Sequence, residues 1–333
     1  MVTGPHPAVA ATRNAVREAI EGLEAGTRVW VACSGGPDSL ALTAATAFVA
    51  RKEGLVAGAI VVDHGLQAES GRVALDAQDQ CRLAGMSVVF IERVKVGREG
   101  GLEAAARTAR YEAIGHRMEA EGGVNPQLLT GHTMDDQAET VLLGLARGSG
   151  ARTLAAMPPR RGNLVRPFLG LRRSETVAAC AALGLKPWRD PTNDVDGGPR
   201  RSALRGTVMP ALIDVLGPGV VPGLARSAAL LQSDADELER QARAAIGAHG
   251  SADAWAVDVL IALPEAIRGR MLKMLAENRG AGPLTATHVK AMDQLVTNYR
   301  GQGAVALPGG FEARREYGRL IVTIQSDSGE ADA

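Results

Sequence analysis

The sequence is poor in cysteine, which limits the kinds of site it can build. Its 333 residues include only three, Cys33, Cys81 and Cys180, and they are widely spaced with no C-x-x-C motif. This spacing argues against a disulfide framework, a zinc site and an iron–sulfur cluster. We therefore expect a cytoplasmic protein with reduced thiols.

The sequence also lacks an excess of positive or negative charge and a long apolar run. Lys plus Arg and Asp plus Glu number 37 each, so a nucleic-acid surface has to be a local patch. No run of about eighteen apolar residues occurs, and residues 1–10 lack the charged and apolar regions of a signal peptide. We expect neither export nor contact with a membrane. A hydrophobic content of 46% favours a globular protein, long enough for two domains.

The phosphate-loop motif G-x-x-x-x-G-K-[ST] is absent, which disfavours a kinase-like or GTPase-like site. A different loop, Ser34-Gly-Gly-Pro-Asp-Ser39, follows an apolar segment and precedes a helical pattern. Its glycines allow close approach to a phosphate, and its serines and the following helix N-terminus offer donors. Asp38 beside phosphates requires a cation such as Mg²⁺. A Gly- and Ser-rich turn without function is the alternative.

Strand and helix patterns alternate over the first part of the chain. The nearly continuous apolar run 55–62 indicates a strand that is buried on both faces. Helical patterns cover 12–26, 70–83, 102–119 and 134–145, and further strands are predicted over 86–91 and 127–130. The alternation predicts an α/β fold, a doubly wound parallel sheet that binds ligands at the carboxyl ends of its strands.

Polar residues follow these predicted strands. Asp63 and His64 follow the second strand, and the string G-H-T-M-D-D-Q-A-E-T begins at Gly131 after a later one. Asp136 and Glu139 lie three residues apart on one helical face. Acidic residues in a first turn also favour the helix dipole, so helix-start chemistry is the alternative. The neighbouring histidine and glutamine favour a functional site.

Arginine is concentrated in two places. Arg107 and Arg110 lie within one helical turn, either as a solvated basic face or as forks for phosphate or carboxylate. Ten basic and four acidic residues lie in segment 160–205, an excess of +6 in a chain of zero net charge. Such a local excess predicts a surface for a polyanion.

A domain boundary is expected where Gly and Pro cluster, over 216–223. We predict a catalytic domain over 1–216 and a smaller domain over 224–325, mainly helical or α+β. The smaller domain is expected to begin with a long helix over 224–246, followed by helices over 265–277 and 287–296 and strands over 304–307 and 320–324. A disordered tail is predicted over 326–333.

The loop at Ser34 resembles the pyrophosphate loop of the N-type ATP pyrophosphatases, which cleave ATP between the α and β phosphates and adenylate a substrate. Together the motifs are similar to those of bacterial tRNA(Ile)-lysidine synthetases, strongly over about 25–215. Besides the loop and the string from Gly131, the likeness rests on Val62-Asp-His-Gly-Leu66, Ala106-Arg107 with Arg110-Tyr111, Arg147-Gly-Ser-Gly150, Arg166-Pro167 and Asp190-Pro-Thr-Asn193. Arg201-Ser202 departs from the family's usual Arg-Asn, so an amide role there is in doubt. The further C-terminal domain of longer members is expected to be absent.

The resemblance implies an adenine-nucleotide α-hydrolase-like fold and a two-step reaction. The wobble cytidine of tRNA(Ile) with a CAU anticodon is adenylated at its C2 oxygen with release of pyrophosphate, and L-lysine then displaces AMP. Implied ATP contacts are Ser34, Gly35, Gly36, Pro37, Asp38, Ser39, Val62 and His64, with Mg²⁺ at Asp38 and Asp136. Implied catalytic or lysine contacts are Arg107, His132, Asp136 and Glu139, and tRNA contacts are Arg110, Arg166, Arg189, Arg200, Arg201 and Arg205.

Different functions remain open on the sequence alone. A tRNA thiolation enzyme of the same superfamily would usually need paired cysteines, which are missing here. A small-molecule amidotransferase, or a nucleotide-binding module without turnover, would also fit the loop and the strand-end residues. A homodimer is possible on the sequence, and the means of rejecting the methionine tRNA is not apparent in it.

Overall fold

The computed structural model describes residues 4–66, 69–97, 101–188, 200–249 and 254–325, without the side chains of Glu103, Arg200 and His249. The predicted tail over 326–333 lies outside these residues. The chain divides into two compact units, one of residues 1–149 and 153–229, the other of residues 150–152 and 230–333. The division falls inside a long helix and not in the Gly- and Pro-rich segment.

The first unit alternates strands and helices. In chain order its elements are α1 (Pro7–Ala19), β1 (Arg28–Cys33), α2 (Pro37–Glu53), β2 (Val56–Asp63), α3 (Ser70–Leu83), β3 (Val88–Arg93), α4 (Leu102–Glu121), β4 (Gln127–Thr130), α5 (Met134–Leu145) and α6 (Ala151–Leu154). There follow β5 (Arg160–Arg161), β6 (Leu164–Val165), a 3₁₀ turn (Pro167–Gly170), α7 (Arg173–Ala182), α8 (Arg200–Ala203), a π-helical turn (Leu204–Val208), α9 (Met209–Leu216) and α10 (Val220–His249).

The six strands form one sheet in the order β3-β2-β1-β4-β6-β5. All neighbours are parallel except β5, which pairs antiparallel with β6. Because β2 and β4 lie on opposite sides of β1, the chain reverses its direction across the sheet beside the loop at Ser34. Such a switch point leaves a crevice at the carboxyl ends of the strands. The predicted doubly wound fold is confirmed.

Helix α1 differs from the predicted 12–26. It begins at Pro7, whose fixed φ suits a first helical position, and the ring Nδ1 of His6 accepts from the N–H of Ala8 at 3.2 Å. It ends at Ala19, before Gly22 adopts a φ of +80°. The prediction followed the apolar spacing through Leu23 and gave too little weight to the glycine.

The sheet is buried on both faces. Val29 and Val31 point into a core formed with α1, α2 and α7, while the alternate residue Trp30 points into a second core with Ile60 and α4. Trp30 pairs in register with Gly58 on β2, and its ring lies over the glycine. A Cβ at Gly58 would lie 2.3 Å from a ring carbon of Trp30, so the glycine makes room for the indole.

Gly58→Ala should therefore destabilise the first unit by about 1–3 kcal/mol, because an overpacked core has to shift. The measurement is the midpoint of thermal unfolding by calorimetry. Gly115→Ala on α4 is the matched control, since nothing lies within 4 Å of the added Cβ and alanine favours a helix by about 0.5–1 kcal/mol. An unchanged midpoint for Gly58→Ala would contradict the packing of Trp30.

The second unit is an α+β domain. Its four-stranded antiparallel sheet has the order β7-β10-β9-β8, from β7 (Ala254–Ala256), β8 (Val305–Leu307), β9 (Phe311–Glu316) and β10 (Arg319–Ile324). Its helices are the distal part of α10, α11 (Val257–Ile261), α12 (Glu265–Asn278) and α13 (Ala286–Thr297). Met271, Leu272, Met292 and Leu295 fill the core.

Sequence reasoning missed β7, α11 and β9 in this unit. Strand β9 carries four charged residues in six, which hid its alternation. The signal in the sequence was Gly318, which favours a tight turn. In the structure Tyr317 and Gly318 both have positive φ, as in a two-residue hairpin turn.

Among the helices that the structure describes, none alone has both the length and the hydropathy to cross a membrane; only the pair Arg201–Leu216 and Val220–Ala248, bent by 98°, reaches both together.

Candidate active site

The carboxyl ends of β1, β2 and β4 open into a cavity of about 810 Å³. Its lining includes many of the predicted site residues, namely Ser34, Gly36, Pro37, Asp38, Ser39, Val62, His64, Arg107, Arg110, His132, Asp136 and Arg205. It also includes Arg173, which the sequence placed only in the basic segment, and Trp188. The observed strand order brings these distant segments together.

The loop after β1 is held by the Ser39 hydroxyl. Ser39 Oγ donates to the carbonyl of Gly36 at 3.0 Å and accepts from the N–H of Ser34 at 3.2 Å. Helix α2 begins within this loop, at Pro37, and no side chain caps its first turn. Its free N–H groups are therefore available to an anion at the cavity.

Two glycines allow this loop its close contacts. Gly35 has a φ of +79°, and a Cβ there would meet Ala77 at 3.0 Å. Gly131, after β4, lies against the backbone of the loop, so that a Cβ would lie 2.9 Å from the carbonyl of Asp38. The N–H of Trp188 donates to the carbonyl of Gly35 at 2.9 Å, which ties a third segment to the loop.

His64 and Arg110 meet on the β2 side of the cavity. Arg110 donates to Nε2 of His64 from Nε at 3.2 Å and from Nη2 at 3.0 Å, so His64 carries its proton on Nδ1. That Nδ1 is buried and has no hydrogen-bond acceptor in the part of the chain that the structure describes. Burial, and then the charge of Arg110, lower the pKa of His64. The ring is therefore neutral at physiological pH and presents a donor.

The opposite side of the cavity is acidic, lined by Asp38 and Asp136, and Arg173 joins these two carboxylates to Glu139, which is not itself a lining residue. The guanidinium group of Arg173 lies 3.0 Å from Asp38 Oδ2, 2.8 Å from Asp136 Oδ1 and 3.7 Å from Glu139 Oε1. Burial raises the pKa of Asp38, although Arg173 and Thr176 act in the other direction. Burial alone would also raise the pKa of Asp136, but Arg173 and the donors of Thr133 hold it below its usual value.

Asp136 serves two purposes at once. Its Oδ2 accepts from the N–H of Thr133 at 2.7 Å and from the Thr133 hydroxyl at 2.8 Å, which caps α5. Its Oδ1 faces Arg173 and lies 3.6 Å from Arg205. One oxygen of Asp136 therefore has the helix-capping role that the alternative interpretation predicted. The other oxygen forms ion pairs at the cavity.

Glu139 is almost fully buried, with 3% of its side chain exposed. Arg205 donates to both of its carboxylate oxygens, at 2.8 Å and 3.1 Å. A buried carboxylate requires such a partner, and removing one side of a buried pair typically costs about 3–5 kcal/mol. Arg205 was expected on a tRNA surface, and here it is a partner of Glu139 at the edge of the cavity.

The carboxylates as placed do not fit the predicted Mg²⁺ site. Asp38 accepts from Thr176 on Oδ1 and from Arg173 on Oδ2, and both oxygens of Asp136 accept as described above. Within the described ranges no group of three or more metal-ligating side chains is placed to hold an ion. Mg²⁺ favours oxygen ligands in octahedral geometry, whereas these oxygens already face guanidinium and hydroxyl donors.

His132 and Arg107 lie between the two sides. Nδ1 of His132 is 2.9 Å from the Thr130 hydroxyl, and burial lowers the pKa of His132 to about 4. A histidine with this pKa is neutral at physiological pH and is a weak proton acceptor, which argues against the role of base. Arg107 is exposed and lies over the Tyr111 ring at 5.0 Å.

The lowered pKa of His132 predicts a loss of stability in acid. Between pH 6.5 and about 4 the unfolded chain takes up a proton at this residue that the folded chain does not, so stability falls as the pH falls through this window. The loss amounts to at most about 3 kcal/mol. It is measured by urea unfolding at several pH values.

His132→Gln should remove this part of the pH dependence, and His116→Gln, which changes an exposed histidine on α4, should retain it. A histidine titration by NMR that places the pKa of His132 at or above 6.5 would contradict the prediction.

Several arginines of segment 160–205 have partners within the protein. Arg166 is 6% exposed and donates to the carbonyl of Pro158 at 2.7 Å, so in this conformation it cannot reach a polyanion. Arg160 donates to Gln127, and Arg172 to Asp135. The window count missed these partners because their sequence positions lie upstream. Arg201 is half-buried, Arg189 lies outside the described residues, and so does the side chain of Arg200.

The start of α7 supplies further partners of the carboxylates on the acidic side of the cavity. Sequence reasoning assigned no such role to it. Arg173 and Thr176 both contact Asp38, and Arg172 forms a bidentate pair with Asp135. The paired arginines were counted as part of a basic surface. The available signal was that acidic pair Asp135-Asp136 matches basic pair Arg172-Arg173 in number and spacing.

Comparison with known proteins agrees with this arrangement. Residues 9–212 match the family described as the PP-loop domain, and residues 256–321 match the TilS substrate binding domain. The U34-tRNA thiolase NcsA from Methanococcus maripaludis, solved with its [4Fe–4S] cluster, superposes with a TM-score of 0.56 over 68% of this chain and 80% of that one. At 18% identity this likeness shows the fold alone. Fold and cavity thus define an ATP-binding PP-loop protein with an appended substrate-binding domain.

Comparison with three relatives assigns the chain to one family of PP-loop proteins. The tRNA(Ile)-lysidine synthases of Salinispora arenicola and Thermobifida fusca are 50% and 49% identical, over 95% and 97% of this chain and 96% and 99% of theirs. That of Streptomyces coelicolor is 44% identical over 96% of this chain and 99% of its own length. The chain belongs to the tRNA(Ile)-lysidine synthase family.

Proposed function

We propose that the protein uses ATP to join L-lysine to the C2 position of the wobble cytidine in tRNA(Ile) with a CAU anticodon, releasing AMP and pyrophosphate. The observation that carries this proposal is one cavity with two unlike sides. An uncapped helix start and the loop at Ser34 suit phosphates, and a buried carboxylate set suits an ammonium group. Family membership supports the same reaction, and the cytoplasm supplies all three substrates.

In the first step, the proposed phosphate contacts are the N–H groups of the Ser34–Ser39 loop and of the first turn of α2. These donors are fixed before ATP binds, since Ser39 and Gly131 hold the loop. The adenine would border Val62 and His64, whose Nδ1–H donor suits a ring nitrogen. Mg²⁺ accompanies ATP in this proposal, with its protein ligands unassigned.

In the second step, lysine enters as an ammonium ion and must lose a proton. Its amine has a pKa of about 10.4, so near neutral pH about one molecule in a thousand is reactive, a handicap of about 4 kcal/mol. Asp136 and Glu139 are the proposed partners of the ammonium group, and Glu139 is the proposed acceptor of its proton, since Arg173 and Thr133 hold the pKa of Asp136 low. Neutral His132 is better suited to hold the base or the amine by a hydrogen bond than to take the proton.

Glu139→Gln should separate the two steps. The variant should still release pyrophosphate from ATP with tRNA present, but it should form lysidine slowly and need more lysine, because the amide cannot take a proton. The two products are measured separately, at several lysine concentrations. Asp136→Asn should impair both steps, since Asp136 also contacts Arg173 beside the loop.

Glu92→Gln is the matched control, because Glu92 also pairs with an arginine, Arg117, which is not one of the arginines that pair with Asp136 and Glu139. Equal loss of both products in Glu139→Gln, with an unchanged dependence on lysine, would remove Glu139 from the amine site.

The tRNA surface is proposed to include Arg200 and Arg201 at the start of α8. Replacing both by alanine should weaken tRNA binding and flatten the slope of log affinity against log salt by about one unit per lost phosphate contact. Arg82→Ala on α3 is the control, since Arg82 is exposed and pairs with Asp79 in its own helix. A slope equal to that of the unmodified protein would place the surface elsewhere.

A further inference from the structure

The acidic side of the cavity is a closed set of charges, which we call the carboxylate–arginine cluster. It consists of Asp38, Asp136, Glu139, Arg173 and Arg205, joined by five ion pairs between 2.8 and 3.7 Å. Arg173 contacts all three carboxylates, whereas Arg205 contacts Asp136 and Glu139. Each carboxylate therefore has at least one guanidinium partner.

Three carboxylates against two guanidinium groups leave a formal charge of minus one. The three carboxylates are little exposed, 3% for Glu139, 12% for Asp136 and 20% for Asp38, so solvent screens their charge only weakly, whereas Arg205 is 40% exposed. A single ammonium group would neutralise the cluster. A divalent ion would leave it positive and would have to displace a guanidinium group to reach an oxygen.

Arg173 is placed from outside the cluster. Its backbone N–H donates to Asp135 Oδ2 at 2.8 Å, and the same carboxylate accepts from the guanidinium group of Arg172. The start of α7 is thereby fixed against the start of α5, next to the loop at Ser34. Arg173 is a built part of the cavity rather than a surface arginine that happens to reach it.

We propose that Arg173 is a specificity-determining residue. Its charge sets the net charge of the cluster, so that the cluster binds one monovalent ammonium group and does not bind a divalent metal ion. The identity of that ammonium as the lysine side chain rests on the proposed function. The refusal of a metal rests on the contacts alone. Asp38 and Asp136 then bind Arg173 in place of the Mg²⁺ that their sequence positions suggested.

The test is binding of Mn²⁺ alone to the nucleotide-free full chain, followed by the EPR signal of the free ion. The unmodified protein should show no saturable site. Arg173→Gln leaves the cluster at minus two with free carboxylate oxygens. It should therefore gain one Mn²⁺ site, with an affinity at least about tenfold above that of any Mn²⁺ binding by the unmodified protein. Adding Asp136→Asn to that variant should abolish the new site.

Arg82→Gln on α3 is the control, because it removes the same charge at an exposed position outside the cluster, and it should bind no Mn²⁺. Arg173→Lys keeps the charge and should behave like the unmodified protein. Arg205→Gln makes the same change of charge at a more exposed position and should also gain a site, which keeps the test valid if Arg173→Gln does not fold.

Saturable Mn²⁺ binding by the unmodified protein that Asp136→Asn removes would overturn the proposal, and so would the absence of a site in both Arg173→Gln and Arg205→Gln. No ATP, tRNA or lysine is present in these measurements. Failure of the proposed function would instead appear as missing lysidine in the unmodified enzyme, with the Mn²⁺ results unchanged.

Discussion

The structure of the cavity depends on one electrostatic constraint, the need to neutralise carboxylates that lie where solvent barely reaches. Glu139 is 3% exposed, and an unpaired carboxylate in such a place would be several kcal/mol less stable than in water. Arg173 and Arg205 meet that need by coming from segments that are distant along the chain. The starts of α2, α5 and α7 are held together as a result, and these are the elements that border the loop at Ser34.

Four of the six strands of the first sheet could be predicted from the sequence because their determinants are local, whereas the two-residue strands β5 and β6 were missed. Continuous apolar runs mark strands that are buried on both faces, and the bounds of α3, β4 and α5 agree with the predicted ones. The strands of the second unit were harder to find, since β9 is mostly charged and is defined by its partners β8 and β10 and by the turn at Tyr317. Pairing between strands is a long-range property that periodicity does not report.

The candidate site could be predicted only in part for a similar reason. The loop at Ser34, His64 and the string from Gly131 follow strands, so the fold brings them to one edge. The pairing of Arg173 with Asp38 spans 135 residues of sequence, and no local pattern reveals it. Counting charge in a window assigned Arg166, Arg172 and Arg205 to a surface, although their partners lie in other segments or in the backbone. The roles of the predicted site residues stay predictions until the variants are measured.

The backbone hydrogen bond from Trp188 to Gly35 places a tryptophan, and therefore a fluorescent side chain, beside the loop. Trp30 and Trp255 are 2% and 5% exposed and are not lining residues of the cavity, whereas Trp188 is half-buried in the lining beside the loop. Indole emission depends on local polarity and on nearby charge. The long-wavelength part of the fluorescence therefore arises next to the loop, and the native chain carries its own spectroscopic reporter of what occupies that loop.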